Sequence, residues 1–153
     1  MPITRLASPA HFTEFSRGLL EKIRVWEALR DRPLTRVPED LPFGELVRIV
    51  TRSEESHFPV VDREGRMTGI LSINDIREFM FEESIAHLIL ARDVATREVV
   101  RVHWGDTLRD ALEKMSAIDV DEIPVVRPDA PGVIVGMISK RDIVDYYYSS
   151  SLR

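Results

Sequence analysis

The chain has 153 residues, 44% of them hydrophobic and 31% charged, with a formal net charge of -5. That balance suits one compact domain, or two half-domains sharing a core, and gives no sign of disorder. A mildly acidic chain with no Lys/Arg-rich run lacks the basic footprint of a nucleic-acid binder, and the absence of cysteine removes disulfides, thiolate metal sites and a cysteine nucleophile.

Met1, Pro2, Ile3, Thr4 and Arg5 lack the charged-then-apolar order of a secretory leader. Leu19, Leu20, Ile23 and Trp26 then give an amphipathic pattern, a helical extension that packs on the rest or docks another domain. Arg36 and Val37 lie in a short first strand. Phe43, Leu46, Val47 and Val50 follow the i, i+3, i+4, i+7 template, which predicts a helix over 43–53 with one buried face. Residues 58–61 and 67–71 read as strands around a turn at 63–66, where Gly65 can take positive φ. A helix begins after Ser72. Residues 78–97 form a link, with Ile85, Leu88 and Ile89 suiting a connecting helix.

The pattern then recurs. A strand at 101–102 precedes a helix over 108–117, carried by Leu108, Ala111, Leu112 and Met115. Strands at 123–126 and 133–138 flank a longer turn at 128–132, and a helix starts after Ser139. The apolar run at 133–138 is broken by Gly136 and is too short to span a bilayer, so the segment is expected to be soluble, not membrane-inserted, and cytoplasmic. Pro59 and Pro124 lie 65 positions apart; Gly69 and Gly136 lie 67 apart, the second loop being two residues longer. Each repeat is near the lower limit for independent folding, so the two are expected to pack sheet to sheet around a pseudo-two-fold axis with a cleft at the join.

An apolar residue followed by Pro-Val-Val, then Gly, two apolar residues, Ser, two residues and Asp, occurs twice: Phe58 to Val61 with Gly69 to Asp75, and Ile123 to Val126 with Gly136 to Asp142. This resembles the CBS-domain pair, or Bateman module. The fold expected is α/β: two tandem βαββα CBS repeats related by pseudo-two-fold symmetry, with an N-terminal helical extension. The boundaries expected are 1–24 for the extension, 25–82 for repeat one, and 83–153 for the connecting segment and repeat two. Leu19 to Val25, His57 to Asp62, Ile70 to Arg77, Ala91 to Val94 and the Tyr-rich end are similar to the cytoplasmic module of CLC-type chloride channels and transporters.

That resemblance implies a non-catalytic regulatory module holding ATP, ADP or AMP between the repeats, with Mg²⁺ accompanying a triphosphate. It implies a homodimer, and a membrane transport domain elsewhere in the full-length chain. It assigns Thr35, Val37, Ser56, His57, Phe58 and Pro59, with Ser139, Arg141 and Asp142, to site one. It assigns Val100, Val102, Glu122, Ile123 and Pro124, with Ser72, Asn74 and Asp75, to a weaker site two. The aspartate would take ribose hydroxyls and the helix start would take phosphate. Lys140 and Arg141 lie beside the site-one aspartate, whereas Asp119, Asp121 and Glu122 face site two, which favours polyphosphate in site one. Glu54 and Glu55 work against that preference.

Blander readings compete. Ser-x-x-Asp at a helix start is also a capping box needing no ligand. Lys140 and Arg141 fit an exposed helix face, and His57 fits a turn residue facing water. His11, His87 and His103 show no metal-ligand spacing with it. Tyr147 follows Ile143 by four and is expected in the core, and Trp26 and Trp104 read as packing residues. No Ser-His-Asp order, metal cluster or Gly-rich phosphate loop points to an enzyme. A ligand-free dimerisation scaffold and a stand-alone CBS protein acting on another enzyme are the alternatives.

Overall fold

The structure, a computed structural model, describes residues 18–80 and 86–151. In chain order its elements are α1 (Val25–Ala28), β1 (Val37–Pro38), α2 (Phe43–Arg52), β2 (His57–Val61), β3 (Met67–Ser72), α3 (Ile73–Phe79), a 3₁₀ turn (Ala86–Leu88), α4 (Ala91–Val94), β4 (Val102–His103), α5 (Leu108–Ala117), β5 (Glu122–Val126), β6 (Ile134–Ser139) and α6 (Lys140–Ser151). The strands form two three-stranded sheets, ordered β1-β2-β3 and β4-β5-β6. The mixed α/β class and the two repeats are as the motifs imply.

Two compact units form, and they do not follow chain order. One, the repeat-one unit, is Asp31–Val100 with Asp129–Val135. The other, the repeat-two unit, joins the chain up to Arg30 to Arg101–Pro128 and to the chain from Gly136 onward.

In the repeat-one unit the helical stripe of α2 buries Phe43, Leu46 and Val50 against Val37, Phe58, Val60, Leu71 and Ile76. Each such side chain contributes roughly 1.5–3 kcal/mol relative to exposure. The Phe43 and Phe79 rings meet edge to face, 6.3 Å apart at 70°. Strand β1 runs parallel to β2 with Val37 opposite Val60, and β2 runs antiparallel to β3 with His57 opposite Ser72. The hairpin between β2 and β3 turns because Asp62 Oδ1 accepts from the N–H groups of Glu64 and Arg66, at 2.9 and 3.0 Å. Gly65 takes φ +82°, as its place in the turn requires.

Gly69 permits a close approach. A Cβ there would lie 3.0 Å from Ala95 Cβ and 3.0 Å from the Thr96 carbonyl, where Ile70 and Thr96 exchange backbone hydrogen bonds. At Gly136 a Cβ would meet only the flexible end of Leu29, at 3.2 Å. Gly69→Ala is therefore expected to destabilise by about 2 kcal/mol and Gly136→Ala by less, as read from urea midpoints.

In the repeat-two unit β4 runs parallel to β5, with Val102 opposite Val125. Helix α5 buries Leu108, Ala111 and Met115, and α6 buries Ile143 and Tyr147 as the spacing predicts. Thr107 caps α5: its hydroxyl accepts from Asp110 N–H at 3.1 Å, and Asp110 accepts from Thr107 N–H at 2.9 Å. The backbone hydrogen bond from Thr107 leads in holding the Asp110 carboxyl below its usual 3.8. A depressed carboxyl adds stability above its unfolded value and loses it as pH falls through its folded value. Asp110→Asn should therefore flatten the fall in stability below about pH 4, in urea melts compared at pH 3 and 6.

Two expectations need correction. Leu19, Leu20, Ile23 and Trp26 do not share one helix. Helical backbone at 18–20 gives way to a turn, and α1 starts at Val25. The chain leaves helical phase because Val25 and Trp26 donate to the Asp106 and Trp104 carbonyls, at 2.7 and 3.0 Å. Leu20, Ile23 and Val25 are buried in consequence, while Trp26 is 60% exposed. The link between repeats likewise holds no long helix over its described part. Phe43 N–H donates to the Ile89 carbonyl and Ala91 N–H to that of Leu41, which keeps the chain extended into α4. Leu88 is exposed, and Ile85 lies outside the described residues.

Candidate functional site

The helix starts carrying Ser72 and Ser139 are built alike. Asp75 N–H donates to Ser72 Oγ at 3.1 Å, and Ser72 N–H donates to Asp75 Oδ2 at 2.9 Å. For Ser139 and Asp142 the two distances are 3.0 and 2.9 Å. Both are capping boxes, so capping accounts for the spacing in each repeat. In each aspartate the cap bond is made to Oδ2, and Oδ1 is the second oxygen of the same carboxylate.

The repeats differ in what meets that second oxygen. Asp142 is 1% exposed, and Arg30 Nε lies 3.7 Å from its Oδ1. The same guanidinium donates to Asp145 Oδ2 at 2.9 Å, and half of its surface stays exposed. Asp75 is only half-buried. A buried carboxylate at a helix start is held in place by its cap, and a nearby guanidinium offsets its charge. Arg30 was not among the residues singled out by motif. It sits outside both repeats' signatures and reaches Asp142 only through the fold.

The basic pair beside Asp142 is less free than its sequence suggests. Arg141 is 85% exposed and its Nε lies 3.7 Å from Asp145 Oδ2, an i, i+4 pair on the helix face. Lys140 Nζ lies 3.9 Å from Asp121 Oδ1, and Lys140 N–H donates to the Asp121 carbonyl at 2.8 Å. The acidic loop assigned to site two thus tempers a charge assigned to site one.

In the repeat-one unit, β2 and β3 bring Ser56 and His57 beside Ser72. His57 pairs with Ser72, and Ile73 N–H donates to the Ser56 carbonyl at 3.1 Å. Asn74 stands exposed on the first turn of α3, and Val100 is half-buried at the end of the unit's first segment. Thr35 N–H donates to Glu55 Oε1 at 3.0 Å, and Glu55 Oε2 accepts from Ser53 Oγ at 2.9 Å, so Glu55 organises the Thr35 backbone. Val37 and Phe58 are fully buried in the core, where their side chains pack. Val102 and Ile123 are buried in the same way in the repeat-two unit, beside Pro124 and a half-buried Glu122. Of the residues assigned to site one, Thr35, Val37 and 56–59 belong to the repeat-one unit, and Ser139, Arg141 and Asp142 to the repeat-two unit.

Among the described residues, no cluster of three or more His, Asp or Glu could hold a metal, and no helix is long and apolar enough to cross a membrane.

Comparison with known proteins gives a consistent result. The CBS domain model matches twice, over residues 26–82 and 91–149. The chain is 25% identical over 130 residues to homoserine O-acetyltransferase of Methanococcus vannielii, covering 85% of this chain and 26% of the enzyme. It is 28% identical over 116 residues to inosine-5'-monophosphate dehydrogenase of Halobacterium salinarum, covering 76% of this chain and 22% of that enzyme. It thus spans about a quarter of the length of these relatives. Among solved structures, the CBS domain pair of protein MJ0100, in complex with 5'-methylthioadenosine and S-adenosyl-L-methionine, superposes with a TM-score of 0.67 at 23% identity. That match covers 83% of this chain and 97% of the other. CBSX2 in complex with AMP gives a TM-score of 0.72 at 19% identity, over 84% and 98%. With both repeats matched and both helix starts built to one pattern, the chain belongs to the CBS domain family as a tandem pair, a regulatory module.

Proposed function

We propose that this CBS pair binds an adenine nucleotide and passes its occupancy to a client protein. The observation that carries this reading is Asp142: a buried carboxylate at a helix start, capping through Oδ2 and lying 3.7 Å at Oδ1 from a half-exposed arginine. The AMP, 5'-methylthioadenosine and S-adenosyl-L-methionine bound by structural neighbours support an adenosine moiety as the common ligand element. Site one, assigned Thr35, Ser56, His57 and Pro59 together with Ser139, Arg141 and Asp142, is the stronger of the two. The backbone of Val37 and Phe58 would read adenine there. Site two, with Ser72, Asn74 and Asp75, and Val100, Val102, Glu122, Ile123 and Pro124, is the weaker because its acidic loop repels phosphate.

Calorimetric titration of the full chain with AMP and with ATP tests this. Saturable binding supports it. No heat and no thermal stabilisation at millimolar nucleotide overturns it, and leaves a dimerisation scaffold as the better reading. Exposed Ile118 and Val144 favour a homodimer, which sedimentation at increasing concentration would detect. The client reading, a CLC-type chloride transport domain in the same chain, is supported by the motif similarity alone. An adjoining hydrophobic transport domain in the full-length reading frame supports it, and its absence leaves a stand-alone module. Regulation requires that nucleotide prefer one arrangement of the pair, with coupling typically about 1–3 kcal/mol.

A further inference from the structure

The repeat-one unit holds a cavity of about 290 Å³ that shares no residue with either proposed nucleotide site. Its lining is Glu39, Val60, Thr68, Arg92, Ala95 and Arg97. Three of these six are charged, yet among the described residues none of the three forms an ion pair with another. Glu39 Oε2 accepts only from the Thr68 hydroxyl, at 3.2 Å. Opposite charges that face one cavity without meeting are poised for a guest carrying the missing partners.

The internal repeat shows that the fold does not require this. Arg92 N–H donates to the Glu39 carbonyl at 2.9 Å, as Trp26 N–H does to the Trp104 carbonyl at 3.0 Å in the repeat-two unit. Gly69 faces Ala95 as Gly136 faces Leu29. By backbone bonding, then, Arg92, Glu39 and Ala95 occupy the places of Trp26, Trp104 and Leu29. One repeat carries two tryptophans and a leucine at these places, with Trp26 exposed and Arg127 lying 5.8 Å from the centre of the Trp104 ring. The other has an arginine, a glutamate and an alanine there, which charges the corner, and a cavity lies between them.

We infer that this corner of the repeat-one unit is a second ligand site, taking a small oxyanion that also carries a hydroxyl or amino group. Arg92 and Arg97 would bind the phosphate or carboxylate. Glu39 would accept from the hydroxyl or amino group, and Ala95 would contact the carbon skeleton. The volume lies at the lower end of ligand pockets and suits a small metabolite. The inference goes beyond the nucleotide reading and uses none of its residues.

The test is backbone amide NMR of the full chain titrated separately with inorganic phosphate and with acetate, which distinguishes the two oxyanion sources. Saturable shifts are expected at Thr68, Arg92, Ala95 and Arg97 with at least one of the two. Arg92→Gln combined with Arg97→Gln should weaken binding at least tenfold, while Asp142→Asn leaves it unchanged. Thr68→Val, a near-isosteric change on an exposed strand position, should weaken it severalfold. No saturable shift at tens of millimolar, binding that persists in the double variant, or binding lost in Asp142→Asn would each overturn the inference. Failure of AMP to bind would leave it standing.

Discussion

Asp142→Ala is expected to weaken AMP binding by roughly ten- to a hundredfold, while Asp75→Ala weakens it severalfold at most. Hydrogen bonds to a charged group contribute about 1.5–3 kcal/mol, so losing the carboxylate that holds the ribose weakens binding by roughly ten- to a hundredfold. Alanine also removes half of a capping box and a partner of Arg30, which costs about 1 kcal/mol of stability. Asp142→Asn separates the two effects. Its amide oxygen can still accept from Ser139 N–H, so stability is largely kept, but the amino group that replaces the second oxygen cannot accept from a ribose hydroxyl. Asparagine should therefore retain the melting temperature and lose affinity in calorimetry. An Asn variant that binds AMP as wild type does would sink the ribose role.

The largest stability effect belongs to Phe58→Ala. This ring is fully buried in the repeat-one core, between Val37 and Val60 of its own sheet and the stripe of α2. Truncating a buried phenylalanine costs about 3–5 kcal/mol, against a total of about 5–15 for a typical domain. The variant should lose a large part of its urea midpoint. Phe58→Leu, closer in volume, should cost less than half as much. Phe58 also stands among the residues assigned to nucleotide, so affinity should be compared in the leucine variant, where the unit still folds. Unchanged AMP affinity in Phe58→Leu would agree with a ring that serves the core and a backbone that serves the ligand.

The helical stripes at 43–50 and 108–115 and the Pro-Val-Val strands were legible because each depends on neighbours within a few residues, and a repeat displays them twice. The helix starts were legible for the same reason, as capping boxes. The contact of Arg30 with Asp142 was not, since nothing local in an Arg-Asp-Arg-Pro stretch points to a carboxylate far along the chain. The apolar spacing from Leu19 to Trp26 misled because backbone bonds to Trp104 and Asp106 outweigh the helical preference of so short a segment. Charge counting beside Asp142 misled in part, because Asp145 and Asp121 reach the same basic residues only after folding.

The crossing of chain order by the two compact units has a consequence for synthesis. The repeat-one unit draws nearly all of its chain from Asp31–Val100, so its core can assemble while the second half is still being made. The segment before Asp31 must wait. Leu20, Ile23 and Val25 share their unit with Arg101–Pro128 and α6, so these apolar side chains stay uncovered until those segments have been made. Closing that long loop is the slow, non-local step. A nascent chain stalled near residue 100 should therefore protect β2 and β3 from protease while remaining cleavable around Ile23.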